Sequence, residues 1–183
     1  MNTDAVMRLA PIIPVIVIDD AARALPLAQR LVADGLLALE VTLRTAAALE
    51  AITEMTRVPG AVVGAGTVVN EAQLDAAIAA GARFIVSPGL TDRMGAAVRE
   101  RGIPWLPGVA TASDIMRGLD LDLDRFKFFP AMASGGVPAL KALSAPFGWA
   151  KFCPTGGITA ATAPEWLALP SVVCVGGSWM VQP

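Results

Sequence analysis

Eight short runs of bulky apolar residues recur along this chain, each separated from the next by an amphipathic stretch rich in alanine, leucine and arginine. Runs without polar alternation suit parallel strands buried on both faces, and the amphipathic stretches suit the helices that cover them. Strands are predicted near 12–18, 36–41, 61–63, 83–86, 103–106, 125–129, 151–153 and 172–175. Helices are predicted near 21–33, 46–55, 71–80, 92–101, 112–119, 137–143 and 161–169, with a leading helix at 4–10. Asn70, Thr91 and Thr111 stand where N-cap side chains belong, and Gly35, Gly81 and Gly102 where helices end. This order predicts an α/β fold, a closed (β/α)8 TIM barrel, with an open doubly wound sheet as the competing architecture. The open sheet is disfavoured because Asp19-Asp20 follows the first strand where a dinucleotide fingerprint would begin, and Gly64-Ala65-Gly66 lacks the third glycine. With 183 residues the chain fills one core, so one domain over 1–183 is expected. Seven helices separate the eight strands and little sequence follows the last, so the expected barrel lacks its final helix.

Composition removes several function classes. The 14 basic and 16 acidic residues give a net charge of −2, which offers no electrostatic footprint for nucleic acid or an anionic membrane. Mean hydropathy is high at +0.60, yet the longest apolar stretch, 10–18, is broken by Pro11 and Pro14 and is too short to span a bilayer. Cys153 and Cys174 lie in apolar runs and read as buried free thiols in a reducing compartment, with the cytoplasm the simplest location. The chain has no histidine, so Ser-His-Asp and Cys-His nucleophile systems are excluded and the usual zinc ligands are missing. Chemistry must come from Lys, Glu, Asp or backbone groups, with no metal or organic cofactor expected.

The polar residues that remain cluster at predicted strand ends. Lys127 lies in Arg125-Phe126-Lys127-Phe128-Phe129-Pro130, where burial would disfavour the ammonium and leave a nucleophilic amine; the competing reading is a strand lysine reaching solvent beyond its apolar stem. Strand alternation turns Leu37, Leu39 and Val41 to one face and Glu40 and Thr42 to the other, with Arg44 just past the end. Glu40 and Arg44 are either a buried ion pair or a general acid/base beside a carboxylate clamp, and an inward-pointing Lys127 would meet Glu40 across the lumen. Pro154-Thr155-Gly156-Gly157 and Gly176-Gly177-Ser178 follow the seventh and eighth strands, where barrel enzymes commonly hold phosphate on backbone N–H groups.

Taken together, Leu39-Glu40-Val41-Thr42-Leu43-Arg44-Thr45, Gly64-Ala65-Gly66-Thr67-Val68, Ser87-Pro88-Gly89, Phe126-Lys127-Phe128-Phe129-Pro130-Ala131, Phe152-Cys153-Pro154-Thr155-Gly156-Gly157-Ile158 and Gly176-Gly177-Ser178-Trp179 resemble the 2-keto-3-deoxy-6-phosphogluconate (KDPG) aldolases, class I lyases of the Entner–Doudoroff pathway. The resemblance runs from about residue 7 to 180. It implies that Lys127 is the Schiff-base lysine and Glu40 the acid/base carboxylate, and that Arg44 and Thr67 hold the substrate carboxylate. It further implies that Pro88 and Phe129 line a pyruvate pocket and that Gly156, Gly157, Gly177 and Ser178 bind phosphate. The implied partners are a phosphorylated keto-acid substrate and two further copies of the chain in a homotrimer, with 4-hydroxy-2-oxoglutarate as a second substrate. Two departures stand out: the family's final helix, and Met132 where relatives usually carry glutamate. The competing functional readings are a trimeric assembly scaffold with impaired catalysis, using Trp105, Trp149 and Trp166 as contact surfaces, and a phosphate-binding barrel enzyme without imine chemistry.

Overall fold

In the computed structural model, which describes residues 1–181, eight parallel strands alternate with helices around a barrel. The strands are β1 (Ile12–Ile16), β2 (Ala38–Thr42), β3 (Val62–Gly66), β4 (Ile85–Ser87), β5 (Trp105–Val109), β6 (Arg125–Phe128), β7 (Lys151–Pro154) and β8 (Val175–Gly177). The helices are α1 (Thr3–Met7), α2 (Ala24–Ala33), α3 (Ala48–Met55), α4 (Glu71–Ala79), α5 (Asp92–Arg101), α6 (Ala112–Asp120), α7 (Gly136–Ser144) and α8 (Ala163–Leu167). Neighbours in sequence pair in the sheet, β8 returns to β1, and single bridges Phe152–Val172, from β7 to the segment leading into β8, and Thr155–Gly176, from the residue after β7 to β8, complete the circuit. The barrel therefore closes within the described residues, none of which forms a helix after β8. None of their helices is long and apolar enough to cross a membrane.

Local chemistry explains the punctuation. Asn70 accepts a hydrogen bond from the Gln73 N–H at 2.9 Å, and Thr111 and Asp114 cap α6 reciprocally at 3.2 and 2.9 Å. Gly102 ends α5 in left-handed backbone at φ 62°. The observed strands differ from the predicted ones in one systematic way: β3 and β5 run to Gly66 and Val109, beyond the predicted 63 and 106, and β8 begins at Val175 rather than 172. Their upper ends are built from Gly64, Gly66, Pro107, Gly108, Gly176 and Gly177. Apolar runs alone miss such residues, although small residues are what leaves room in the lumen.

Alternation along each strand divides the core. Leu39, Val41, Val63 and Ile85 face outward to α2–α5, while Phe126, Phe128 and Phe152 face α6–α8. Ile13, Ala38, Val62, Phe84, Val86, Leu106, Cys153 and Cys174 fill the lower lumen together with Val6 and Met7 of α1. The Asp4 carboxylate anchors that plug by accepting from Arg8 at 2.7 Å and from Arg125, at the foot of β6, at 2.6 Å. These hydrogen bonds hold the Asp4 carboxyl below its ordinary range. With the foot sealed, the lumen opens at the C-terminal ends of the strands.

The tryptophans correct one expectation. Trp105 and Trp166 are 3% and 1% exposed and belong to the interior, so neither is a contact surface; of the three, Trp149 alone is exposed, at 57%. The indole N–H of Trp105 donates to Ser87 Oγ at 2.9 Å, and Ser87 donates to the Gly89 carbonyl at 2.7 Å, which fixes the turn carrying Pro88.

Candidate active site

Lys127 and Glu40 meet inside the barrel. Inward alternation on β6 and β2 aims both side chains across the lumen, and Lys127 Nζ lies 3.0 Å from Glu40 Oε1 and 3.4 Å from Oε2. Both residues are buried, at 6% and 2% exposure. The reading of Lys127 as a strand lysine with a solvated head is thus overturned, and so is the Glu40–Arg44 ion pair. A buried pair of this kind persists only with good geometry, since desolvating two charges costs several kcal/mol per ion.

The strands around the pair are shaped to admit it. Sheet register sets Gly64 and Val15 beside Glu40, and Gly108 and Cys153 beside Lys127. A methyl group on Gly66 would collide with Glu40 Oε1 and sit 2.8 Å from its Cγ. We therefore expect Gly66→Ala to displace the carboxylate, costing about 1–3 kcal/mol of stability as overpacking does. Turnover should fall at least about tenfold. Urea denaturation and steady-state rates check this; an unchanged rate would mean that the position of Glu40 is immaterial.

Above the pair lies a cavity of about 190 Å3 lined by Val15, Val17, Arg44, Phe129, Thr155, Gly156, Gly157, Ile158, Gly176, Gly177 and Ser178. Six of the predicted site residues are thus on one wall: Arg44, Phe129, Gly156, Gly157, Gly177 and Ser178. The ring of Phe129 covers Lys127, its centroid 5.2 Å from Nζ. Thr67 reaches the cavity through Arg44, whose Nε donates to Thr67 Oγ1 at 3.2 Å. Pro88 stands outside the wall, an exposed residue whose carbonyl lies against the α-carbon of Gly108.

Two features of the site have no clear signal in the sequence. Thr67 holds φ at 60°, a left-handed conformation that costs a β-branched residue about 1–3 kcal/mol and is found disproportionately at functional sites. Thr155 is buried, lines the cavity and presents Oγ1 toward the α-carbon of Gly176, yet in the sequence it stands out only as one member of the loop after the seventh strand and not as a site residue. Gly176, in the glycine loop read after the eighth strand, lines the wall as well, and Val15, Val17 and Ile158 line it without having been predicted there; alternation from Ile13 is the signal that would have placed Val15.

One cation, Arg44, lines the cavity. Arg44 is exposed and makes no ion pair among the described residues. Gly156 and Gly157, at φ 107° and 75°, carry the loop through conformations that L side chains rarely adopt. Below the reacting pair, Cys153 and Cys174 are buried free thiols. Side-chain hydrogen bonding with Cys153, followed by burial, pushes the Cys174 thiol well above its ordinary range, which suits packing rather than nucleophilic attack. No cluster of metal-binding side chains occurs among the described residues.

Comparison with known proteins agrees with this arrangement. The family described as KDPG and KHG aldolase matches residues 3–183. The 2-dehydro-3-deoxy-phosphogluconate aldolase of Zymomonas mobilis is 60% identical over 180 residues, covering 98% of this chain and 86% of that protein. The crystal structure of the Zymomonas mobilis KDPG aldolase with 3-phosphoglycerate superposes with a TM-score of 0.96 at 60% identity, covering 99% of this chain and 86% of that one. The Legionella pneumophila KDPG aldolase, with pyruvate captured as a covalent carbinolamine intermediate, superposes at 0.94 with 49% identity, covering 98% and 87%. With a buried lysine–carboxylate pair beneath a glycine-lined cavity and matches of this extent, the chain belongs to the KDPG/KHG aldolase family.

Proposed function

We propose that this chain is a class I, Schiff-base aldolase that cleaves 2-keto-3-deoxy-6-phosphogluconate to pyruvate and glyceraldehyde 3-phosphate, and that also accepts 4-hydroxy-2-oxoglutarate. The observation that carries the proposal is the 3.0 Å contact between Lys127 Nζ and Glu40 inside the barrel. The amine attacks only as the free base, and the adjacent carboxylate supplies a route to it: Glu40 takes a proton from Lys127. The nitrogen then adds to the 2-keto carbon to give a carbinolamine. Glu40 returns the proton to the departing hydroxyl, so water leaves and a protonated imine remains.

Glu40, again a carboxylate, then takes the proton of the C4 hydroxyl. The C3–C4 electron pair flows into the imine, releasing the aldehyde and leaving an enamine on Lys127. Protonation at C3 and hydrolysis free pyruvate and restore the amine. The imine supplies the electron sink, so the scheme needs no metal or organic cofactor. Arg44, steadied by Thr67, holds the keto-acid carboxylate; Phe129 bounds the pyruvate end; and the N–H groups of Gly156, Gly157, Gly177 and Ser178 hold the phosphate. We further propose that the chain works as one domain, in the cytoplasm, as a homotrimer.

Borohydride reduction in the presence of pyruvate tests the reading. A stable adduct at Lys127, located by peptide mass spectrometry, is expected; its absence would favour a phosphate-binding barrel or an assembly scaffold. The role of Arg44 has a separate test. Arg44→Lys should raise KM for the keto acid about tenfold, because an ammonium cannot reproduce a two-pronged contact to a carboxylate. If KM holds, Arg44 does not touch the substrate.

A further inference from the structure

Met132 follows the strand that carries Lys127, yet its side chain belongs to the loop of the next strand. An added Cβ on Gly157 would sit 2.9 and 2.8 Å from Met132 Cβ and Cγ, so the methionine lies flat against the α-carbon of that glycine. The backbone makes the same connection. The N–H of Met132 donates to the Gly156 carbonyl at 3.1 Å, and the N–H of Ala131 donates to the Thr155 carbonyl at 2.8 Å. On its other side Met132 borders a separate cavity of about 410 Å3, together with Gly135, Val137, Pro138, Thr162, Glu165 and Trp166. Met132 is 49% exposed, so it sits at the surface where the loop meets solvent.

We propose that Met132 is a positioning and specificity-determining residue that holds the Gly156-Gly157 loop in its anion-binding shape, thereby favouring substrates with a phosphorylated tail. The physical argument is preorganisation. Two successive glycines at positive φ have large conformational freedom when unsupported, and an anion must order them at the cost of binding free energy. A flexible, polarizable side chain laid over Gly157 restricts the loop before ligand arrives. The contact also ties the anion loop to the strand end that bears the reacting amine. The phosphorylated substrate and the anion-binding role of the loop both rest on the function proposed above, whereas the support of that loop by Met132 rests on the contacts.

The test uses the full chain and its Met132→Ala and Met132→Leu variants, with two probes. Titration with inorganic phosphate should show Met132→Ala binding about five- to tenfold more weakly than the parent. Met132→Leu, which keeps an apolar cover of similar volume, should stay within about twofold. For turnover, Met132→Ala should raise KM for the phosphorylated keto acid by a similar factor. The pyruvate concentration that half-saturates borohydride trapping should stay within about twofold, because the keto-acid end is untouched. Equal phosphate affinity in the parent and Met132→Ala, or an equal loss in Met132→Leu, would overturn the inference, as would a matching loss of pyruvate trapping. Failure of the parent to trap pyruvate would instead reject the aldolase reading and leave the phosphate comparison decisive for Met132.

Discussion

Lys127→Met is expected to eliminate the borohydride adduct and to lower turnover by about 10⁴-fold or more, since no other amine replaces the lost electron sink. The same substitution should destabilise the protein. Glu40 would remain buried at 2% exposure without its cation, and breaking a buried pair by removing one partner costs about 3–5 kcal/mol. The second change follows from the same physics. Lys127→Met combined with Glu40→Leu removes both charges and should recover most of that loss, while activity stays absent. Urea denaturation of the parent, both single variants and the double variant gives the coupling energy directly. A lysine variant that still forms the adduct would place the imine elsewhere. An additive cycle would show that the 3.0 Å contact contributes nothing to stability.

Glu40→Gln separates the carboxylate's chemistry from its packing. Glutamine keeps the shape and can still accept a hydrogen bond from Lys127, but it cannot shuttle protons. Turnover should fall about 10²–10⁴-fold with KM changed by less than about threefold, the signature of an interaction made only in the transition state. Pyruvate trapping should persist in the variant but proceed more slowly, because imine formation also draws on the Glu40 proton. A variant with normal kcat would remove Glu40 from the mechanism and leave it as a counter-ion to Lys127.

The site was legible in unequal parts. Glu40 and Lys127 were readable because strand alternation fixes which face a residue takes, and a polar residue in an apolar strand is conspicuous. The glycine loops were readable by their place after the seventh and eighth strands. The partner of Glu40 was left open between Lys127 across the lumen and Arg44 nearby. Arg44 looked as plausible a mate for Glu40 as Lys127 did, since four residues separate it from Glu40 and 87 separate Lys127; closure of the sheet brings the distant one near. Arg44 instead turns to Thr67, and the φ of Thr67 belongs to a backbone conformation with no marker in its residue type.

Trp105 and Trp166 were misjudged as surface residues for a related reason: size and aromaticity suit an interface and an interior equally. Packing of helices on the barrel decides between them: Trp105 is buried on β5, and Trp166, on α8 itself, turns inward against Phe128. Strand ends built from Gly64-Ala65-Gly66 or Pro107-Gly108 were undercounted because they carry little apolar bulk: Gly64 makes room for the Phe84 ring, Gly66 for the Glu40 carboxylate and Gly108 for the Pro88 carbonyl.

By itself the sequence determined the alternation of strand and helix, the barrel that alternation closes, and the face each strand residue presents, because these follow from periodicities of a few residues and from glycine and cap chemistry. The tertiary structure alone decided which charges meet, which loop Met132 supports, and that α1 seals one end so that the site opens at the other. Those are contacts between strands far apart in the chain, set by sheet register and closure, and no local pattern of residues encodes a distance across a lumen.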